Sequence, residues 1–185
     1  PKENFLFKAD SMMPYSDLDI FLGEKRGYLK NLHIAQLIHH SEINIGHRVL
    51  HLGALTGYVT ALLAGLCKEV VAVEPNEKFN LSLKKNIDDL NITNIRIVKG
   101  SLEKGVANEF PFDRIFIDSP IKKLNNEIIS QLSSDLGKII MIKKENEELS
   151  KATKITKNIE NFSSEYLFDV FSKYELYDMK EEFEF

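Results

Sequence analysis

The chain has 185 residues, 43% of them hydrophobic and 28% charged, which is enough for one domain with a hydrophobic core. Its formal net charge of -4 at pH 7 argues against a general nucleic-acid binder, because such proteins carry a basic surface. No apolar run approaches the length of a membrane span and no signal peptide is visible, so we expect no membrane partner. The single cysteine, Cys67, excludes an internal disulfide framework and a cysteine-rich metal site, and it predicts a cytoplasmic protein.

Taken in chain order, the sequence predicts an alternation of strands and helices after an irregular start at residues 1–30. Asn31 is placed to cap a helix over residues 32–41. Strands are then predicted at residues 47–52, 70–73, 95–98, 112–118 and 138–142, with helices at 58–67, 76–90 and 127–136, the last ended by Gly137. Further strands at 151–156, 166–171 and 183–185 follow without helices between them. This order predicts an α/β fold, a doubly wound and mostly parallel sheet with helices on both faces and an antiparallel C-terminal edge.

The first strand–helix–strand unit has the layout of a nucleotide-binding site. Its first strand ends at Gly53, a second glycine follows at Gly57, and the next strand ends in a single acid, Glu74. A carboxylate at this place can accept hydrogen bonds from both hydroxyls of a ribose. Leu55 stands where such turns carry a middle glycine, and its side chain either crowds the ligand or points into the core. Two simpler explanations stay open, namely glycines that only form a tight turn and a Glu74 that is a solvated strand end.

Further motifs follow in a recognisable order. A Gly100–Ser101 turn comes after the third strand, and the fourth strand opens as Pro-Phe-Asp-Arg-Ile at residues 111–115. With these motifs the chain resembles the S-adenosylmethionine-dependent methyltransferases of the Rossmann-like class, and more narrowly it is similar to the protein-L-isoaspartate O-methyltransferases. Members of that family usually read Arg-Val-Leu-Glu-Ile-Gly-Thr-Gly-Ser-Gly-Tyr where this chain has residues 48–58. Residues 1–5 also resemble the Pro-Arg-Glu-x-Phe that precedes the family's active-site loop.

The resemblance implies methyl transfer from S-adenosylmethionine to a carboxylate of a protein or peptide, with S-adenosylhomocysteine as product. A carboxylate is already ionised at neutral pH, so positioning matters more than a strong general base. It further implies an active-site-loop segment at residues 1–30, a methyltransferase core at 31–143 and completing strands at 144–185. We expect no metal site. The acceptor loop is expected at Tyr28, Leu29 and Lys30, and the cofactor-binding residues at His51, Gly53, Ala54, Gly57, Glu74, Gly100, Ser101 and Asp118.

Several positions depart from the family pattern. Leu55 replaces the central glycine of the turn, and His51 and Ser101 stand where the family has acids. Residues 26–31 read Arg-Gly-Tyr-Leu-Lys-Asn instead of Gln-Thr-Ile-Ser-x-Pro, so the hydroxyl pair near the transferring methyl is absent. In this respect the chain resembles a divergent branch of the family. Two classes of function therefore stay open, an active methyltransferase and a catalytically weak or inactive module for binding or assembly.

Overall fold

The computed structural model describes residues 1–7, 14–106, 108–159 and 161–176. The strands are β1 (Ile20–Gly23), β2 (Arg26–Tyr28), β3 (Arg48–Leu52), β4 (Glu69–Val73), β5 (Ile95–Val98), β6 (Arg114–Ile121), β7 (Asp135–Lys144), β8 (Leu149–Asn158) and β9 (Asn161–Phe171). The helices are α1 (Asn31–Ser41), α2 (Tyr58–Ala64), α3 (Glu77–Asp89) and α4 (Asn126–Ser130), and a short 3-10 helix spans Lys2–Phe5.

A seven-stranded sheet in the order β5-β4-β3-β6-β7-β8-β9 forms the centre of the fold. The strands from β5 to β7 lie parallel to their neighbours, whereas β8 and β9 pair antiparallel at one end. Successive strands run outward from β3 to β5 and then from β6 to β9, so the strand order reverses between β3 and β6. Open α/β sheets bind ligands beyond the carboxyl ends of the strands at such a reversal. The predicted α/β fold with an antiparallel C-terminal edge is confirmed.

Helices cover both faces of the sheet. In β4, Val70 and Ala72 belong to a core shared with α1, α2 and α3, whereas Val71 and Val73 belong to a second core that includes Ile128 of α4. All four valine and alanine side chains of this strand are 0% exposed. Burial on both faces explains why the strand reads as a continuous apolar run rather than an alternating one.

The N-terminal prediction is wrong in two respects. Residues 1–30, predicted as irregular, hold the 3-10 helix and the antiparallel hairpin of β1 and β2. The hairpin strands are too short for a periodic pattern to reveal them. Asn31 is the first residue of α1 and not its cap, because its side chain instead accepts a hydrogen bond from Lys2 Nζ at 2.7 Å.

Two of the predicted helices, α4 and α2, end earlier than expected. Helix α4 ends at Ser130 rather than 136, because the backbone that follows pairs with Phe112, which donates to Gln131 O and accepts from Ser133 N, each at 2.8 Å. Gly137 therefore lies inside β7 and ends no helix. Helix α2 ends at Ala64, three residues earlier than expected. The strand predicted at 183–185 lies outside the described residues.

Candidate functional site

The glycine turn after β3 folds back over the end of β4. The amides of Gly53 and Ala54 both donate to Val73 O, at 3.0 and 3.2 Å, and the amide of Gly57 donates to Ala54 O at 3.0 Å. The φ angles of Gly53 and Gly57 are 84° and 100°, in the left-handed region that glycine occupies without steric strain. Both glycines predicted from the sequence are therefore required by the backbone of this turn.

The position of Leu55 decides between the two alternatives for its side chain. Its φ is 52°, so a leucine occupies the left-handed region, at a cost of about 1–2 kcal/mol. The side chain is 1% exposed and belongs to the core shared with α1, α2 and α3. Leu55 thus points into the core and contributes only its backbone to the edge of the turn.

Glu74 lies directly after β4, beside the turn, and its carboxylate is completely buried. Oε1 accepts from Arg26 Nη1 at 2.7 Å and from the Asn76 amide at 3.0 Å. Oε2 accepts from Arg26 Nη2 and from the Leu55 amide, both at 2.8 Å. A carboxylate offers about four acceptor sites, so all of them are used within the chain. The alternative of a solvated strand end is excluded by this burial.

Arg26 makes a two-pronged ion pair with this acid. It belongs to β2 and is 5% exposed, and its guanidinium also lies 5.4 Å from the centre of the Phe79 ring. Parallel N–H bonds from an arginine fork to a carboxylate are among the strongest polar contacts in proteins. Because the predicted ribose contact requires the same two carboxylate oxygens, Arg26 holds the acceptors that the hydroxyls of a nucleoside would use.

The outer face of Gly53 is covered as well. A Cβ built on Gly53 would collide with Leu176 Cδ1 and would lie 3.2 Å from Arg26 Nη2. Leu176 is 4% exposed and belongs to the same core cluster as Leu52 and Val73. The side chains that cover Gly53 and Glu74 thus come from the chain itself, and S-adenosylmethionine does not fit this arrangement until Arg26 and Leu176 move.

His51 and Asp118 form a buried polar group on β3 and β6. His51 Nε2 lies 3.2 Å from Asp118 Oδ1 and Nδ1 lies 2.9 Å from Thr60 Oγ1. The His51 ring also meets the Phe116 ring edge-on at 5.9 Å. His51 and Asp118 were both predicted to bind the cofactor, and the structure brings them together with each other. Their polar atoms are engaged in the interior at 1% and 5% exposure.

Gly100 and Ser101 follow β5. A Cβ on Gly100 would lie 3.7 Å from Val73 Cγ1, so this glycine lies beside the end of β4. Ser101 is exposed, and its Oγ accepts from the Glu103 amide at 3.2 Å. The structure therefore brings Gly100 near the glycine turn, whereas the Ser101 hydroxyl is engaged in its own loop.

The predicted acceptor loop is mostly buried. Tyr28 and Leu29 are each 1% exposed, and burial raises the pKa of the Tyr28 phenol. Thr56 donates its hydroxyl proton to Phe5 O, so Tyr28 donates to Thr56 Oγ1 at 2.7 Å and accepts from the Tyr58 amide at 3.1 Å. Tyr28 thereby connects the hairpin to the glycine turn.

Lys30 is the last residue of this loop, and Lys2 packs beside the loop with its Nζ 5.8 Å from the centre of the Tyr28 ring. The Lys30 amide donates to Asp19 Oδ1 at 2.8 Å. Lys2 is 1% exposed, its Nζ lies 5.1 Å from the centre of the Tyr58 ring, and burial lowers its pKa to about 8.

Among the residues that the structure describes, no group of acidic, histidine and cysteine side chains is suited to hold a metal ion. Within the same residues, no helix has the length and apolarity needed to cross a membrane.

Sequence reasoning missed the two residues that fill the site. Arg26 stands in the segment aligned with the family's active-site loop, and the need of a buried Glu74 for a counter-charge was the one signal that could have found it. Leu176 lies more than a hundred residues further along the chain, and nothing in the local pattern indicates its position.

Comparison with known proteins gives a consistent result. A family model described as Protein-L-isoaspartate(D-aspartate) O-methyltransferase (PCMT) matches residues 1–171. A relative from Aliivibrio fischeri (strain ATCC 700601 / ES114), named protein-L-isoaspartate O-methyltransferase, is 28% identical over 170 residues, which are 92% of this chain and 80% of the relative. A Geotalea uraniireducens relative, named protein-L-isoaspartate O-methyltransferase 2, is 29% identical over 157 residues, 85% of this chain and 71% of its own length.

Solved structures agree on the fold. One named protein-L-isoaspartate O-methyltransferase has a TM-score of 0.81 at 24% identity, covering 93% of this chain and 57% of that chain. A putative protein-L-isoaspartate O-methyltransferase from Plasmodium falciparum, solved with S-adenosyl-L-homocysteine, has a TM-score of 0.74 at 20% identity and covers 95% and 86%. This chain thus spans a little over half of the first structure and most of the second.

Proposed function

The chain belongs to the protein-L-isoaspartate(D-aspartate) O-methyltransferase family, and we propose that it uses S-adenosylmethionine to methylate a carboxylate of a protein or peptide. The observation that carries this proposal is the family match over residues 1–171 together with the glycine turn and Glu74 at adjacent strand ends. When bound, the cofactor supplies an electrophilic methyl group, and the acceptor carboxylate is already ionised at neutral pH. The work left to the protein is to hold both groups in line and to exclude water.

In this proposal Gly53, Ala54 and Gly57 form the floor of the cofactor site, and Glu74 binds the ribose once Arg26 releases it. Gly100 lies close enough to border the same site. His51, Asp118 and Ser101 stay candidates for cofactor binding. Their polar atoms already have partners inside the chain, which a direct contact with the cofactor would have to replace. Tyr28, Leu29 and Lys30 stay the proposed border of the acceptor site, where Tyr28 acts by fixing the turn.

A second candidate is a methyltransferase-like module that binds or assembles without turnover. The observation that favours it is the saturation of the Glu74 carboxylate by four donors of the chain itself. The two candidates differ in whether the ion pair with Arg26 opens in solution. A role in protein repair and a cytoplasmic location belong to the first candidate, and the single cysteine supports the location.

The test is a calorimetric titration of the full chain with S-adenosylmethionine and with S-adenosylhomocysteine, followed by transfer of a labelled methyl group to an isoaspartyl peptide. An aspartyl peptide of the same sequence is the matched control. We expect saturable binding and label on the isoaspartyl peptide alone. Glu74→Ala should weaken binding at least about tenfold, because a charged hydrogen-bond partner contributes about 1.5–3 kcal/mol. Binding without any methyl transfer would favour the second candidate, and an unchanged dissociation constant in Glu74→Ala would remove this acid from the site.

A further inference from the structure

The five residues that follow β9, 172–176, return across the carboxyl edge of the sheet, and we refer to them as the C-terminal segment. The amide of Glu175 donates to Lys25 O at 3.0 Å, and the amide of Leu176 donates to Pro120 O at 2.9 Å. The Glu175 carboxylate is also paired with Lys144 of β7. These contacts tie the segment to the β1–β2 hairpin on one side and to β6 and β7 on the other.

Two side chains of the C-terminal segment replace solvent over the hairpin and the glycine turn. The Tyr174 ring stacks on Phe21 with centroids 6.3 Å apart, and its Cζ would lie 2.7 Å from a Cβ on Gly27. Leu176 lies against Gly53 beside the Arg26 guanidinium. Only glycine allows this approach at either place, so the segment fits a surface shaped by two glycines.

The family match ends at residue 171, which is the last residue of β9. The C-terminal segment therefore lies outside the part of the chain that the family model describes, although it covers a glycine inside that part. The side chain that covers Gly53 thus lies outside the residues that the family model matches.

We propose that the C-terminal segment is an autoinhibitory strap that closes the S-adenosylmethionine site, so that strap and cofactor exclude each other. This inference rests on the proposed function. Leu176 takes the space over Gly53, and Arg26, whose Nη2 lies beside the same glycine, takes the acceptors of Glu74. Release of the strap opens Gly53 and brings the ion pair into contact with water, where the attraction between its charges is weaker.

A closed strap lowers the apparent affinity for cofactor by the fraction of molecules that are open. Leu176→Ala removes the buried side chain that covers Gly53 and leaves Gly53, Glu74 and Arg26 unchanged. We expect this variant of the full chain to bind S-adenosylhomocysteine at least about tenfold more tightly than the unmodified protein, given the contribution of a fully buried leucine. Leu132→Ala is the matched control, because Leu132 is 2% exposed in the same core cluster but does not cover Gly53.

Hydrogen exchange gives a second measurement on the unmodified chain. Saturating S-adenosylhomocysteine should accelerate exchange at the amides of Glu175 and Leu176, and it should slow exchange at the glycine turn. Cofactor binding with these two amides still protected, or equal affinities in the unmodified protein and in Leu176→Ala, would overturn the strap and leave the proposed function standing. If neither the unmodified protein nor Leu176→Ala binds S-adenosylhomocysteine, both the strap and the proposed function are overturned. Tighter binding in Leu176→Ala without methyl transfer would support the strap and overturn the proposed activity.

Discussion

Replacing Arg26 by methionine tests how much the ion pair between Arg26 and Glu74 contributes to the stability of the fold. Methionine keeps most of the length of the side chain and can pack on the Phe79 ring, which the guanidinium now covers at 5.4 Å. The substitution leaves Glu74 at 0% exposure with two backbone donors and no counter-charge. A buried carboxylate in that state raises the free energy of the folded protein more than the loss of two ordinary hydrogen bonds would.

The expected loss of stability is large. Removing one partner of a buried ion pair costs about 3–5 kcal/mol, which for a domain of this size lowers the melting temperature by about 10 °C. The double variant Arg26→Met/Glu74→Gln removes the stranded charge and keeps an acceptor for a backbone amide. We therefore expect it to be more stable than Arg26→Met alone by at least about 1 kcal/mol.

Urea denaturation followed by circular dichroism measures these differences in the free energy of unfolding. Lys85→Met is the control, because its pair with Asp89 on α3 is exposed by 73% and 61% and should contribute less than about 0.5 kcal/mol. A loss below about 1 kcal/mol in Arg26→Met would refute the reasoning, since Glu74 would then have to be solvated or paired elsewhere. A double variant that is less stable than the single one would refute the charge argument in particular.

Three further predictions test residues around the site. Burial lowers the pKa of Lys2 from 10.5 to about 8, so between these pH values the unfolded chain retains a proton that the folded chain has lost. The free energy of unfolding should therefore rise with pH through this window, by up to about 3 kcal/mol. Denaturant titrations at several pH values should show this rise in the unmodified protein and not in Lys2→Met. Leu55→Gly relieves about 1 kcal/mol of backbone strain but empties a core position, so a net loss of roughly 1–4 kcal/mol is expected, and a more stable variant would contradict the inward orientation. Gly27→Ala should lower the free energy of unfolding by roughly 1–3 kcal/mol, and the melting temperature by several degrees, because the added Cβ meets Ile20 O and the Tyr174 ring. Gly65→Ala is the control and should be close to neutral, because the nearest atom to its Cβ is 3.5 Å away. Equal melting temperatures in the two alanine variants would argue against this packing.

Much of the sheet could be predicted from local patterns. Residues 70–73 are an apolar run that becomes β4 because neighbouring strands and helices bury it, whereas residues 95–98, apolar except for Arg96, become the half-buried edge strand β5. The turn between Gly53 and Gly57 and the acid at residue 74 were predictable for the same reason, since a strand end fixes where the next side chains point. Proximity of the turn to Glu74 follows from the parallel pairing of β3 and β4.

Local patterns could not predict that Arg26 and Leu176 fill the site. Arg26 is one of 24 lysines and arginines, and only the folded hairpin shows which of them reaches Glu74. The end of α4 depended likewise on pairing between Phe112 and the backbone at residues 131–133, a contact between segments distant in sequence. The sequence shows that Leu55 replaces the central glycine of the turn. The direction of its side chain, however, depends on the backbone angles of the turn, such as its φ of 52°, and a sequence pattern does not specify these angles.

The meander of β7, β8 and β9 has a consequence for the order in which the chain folds. Its strands join partners that are close in sequence, such as Lys144 with Ser150 and Asn158 with Asn161, whereas Leu50 at the centre of the sheet pairs with Ile115. Closing a short loop loses less chain entropy than closing a long one, so local hairpins can form ahead of distant parallel pairs. The antiparallel edge is therefore the part of the sheet able to form first, and in pulse-labelling experiments its amides should become protected before those of β3. The parallel centre, which carries the glycine turn and Glu74, would then be completed last.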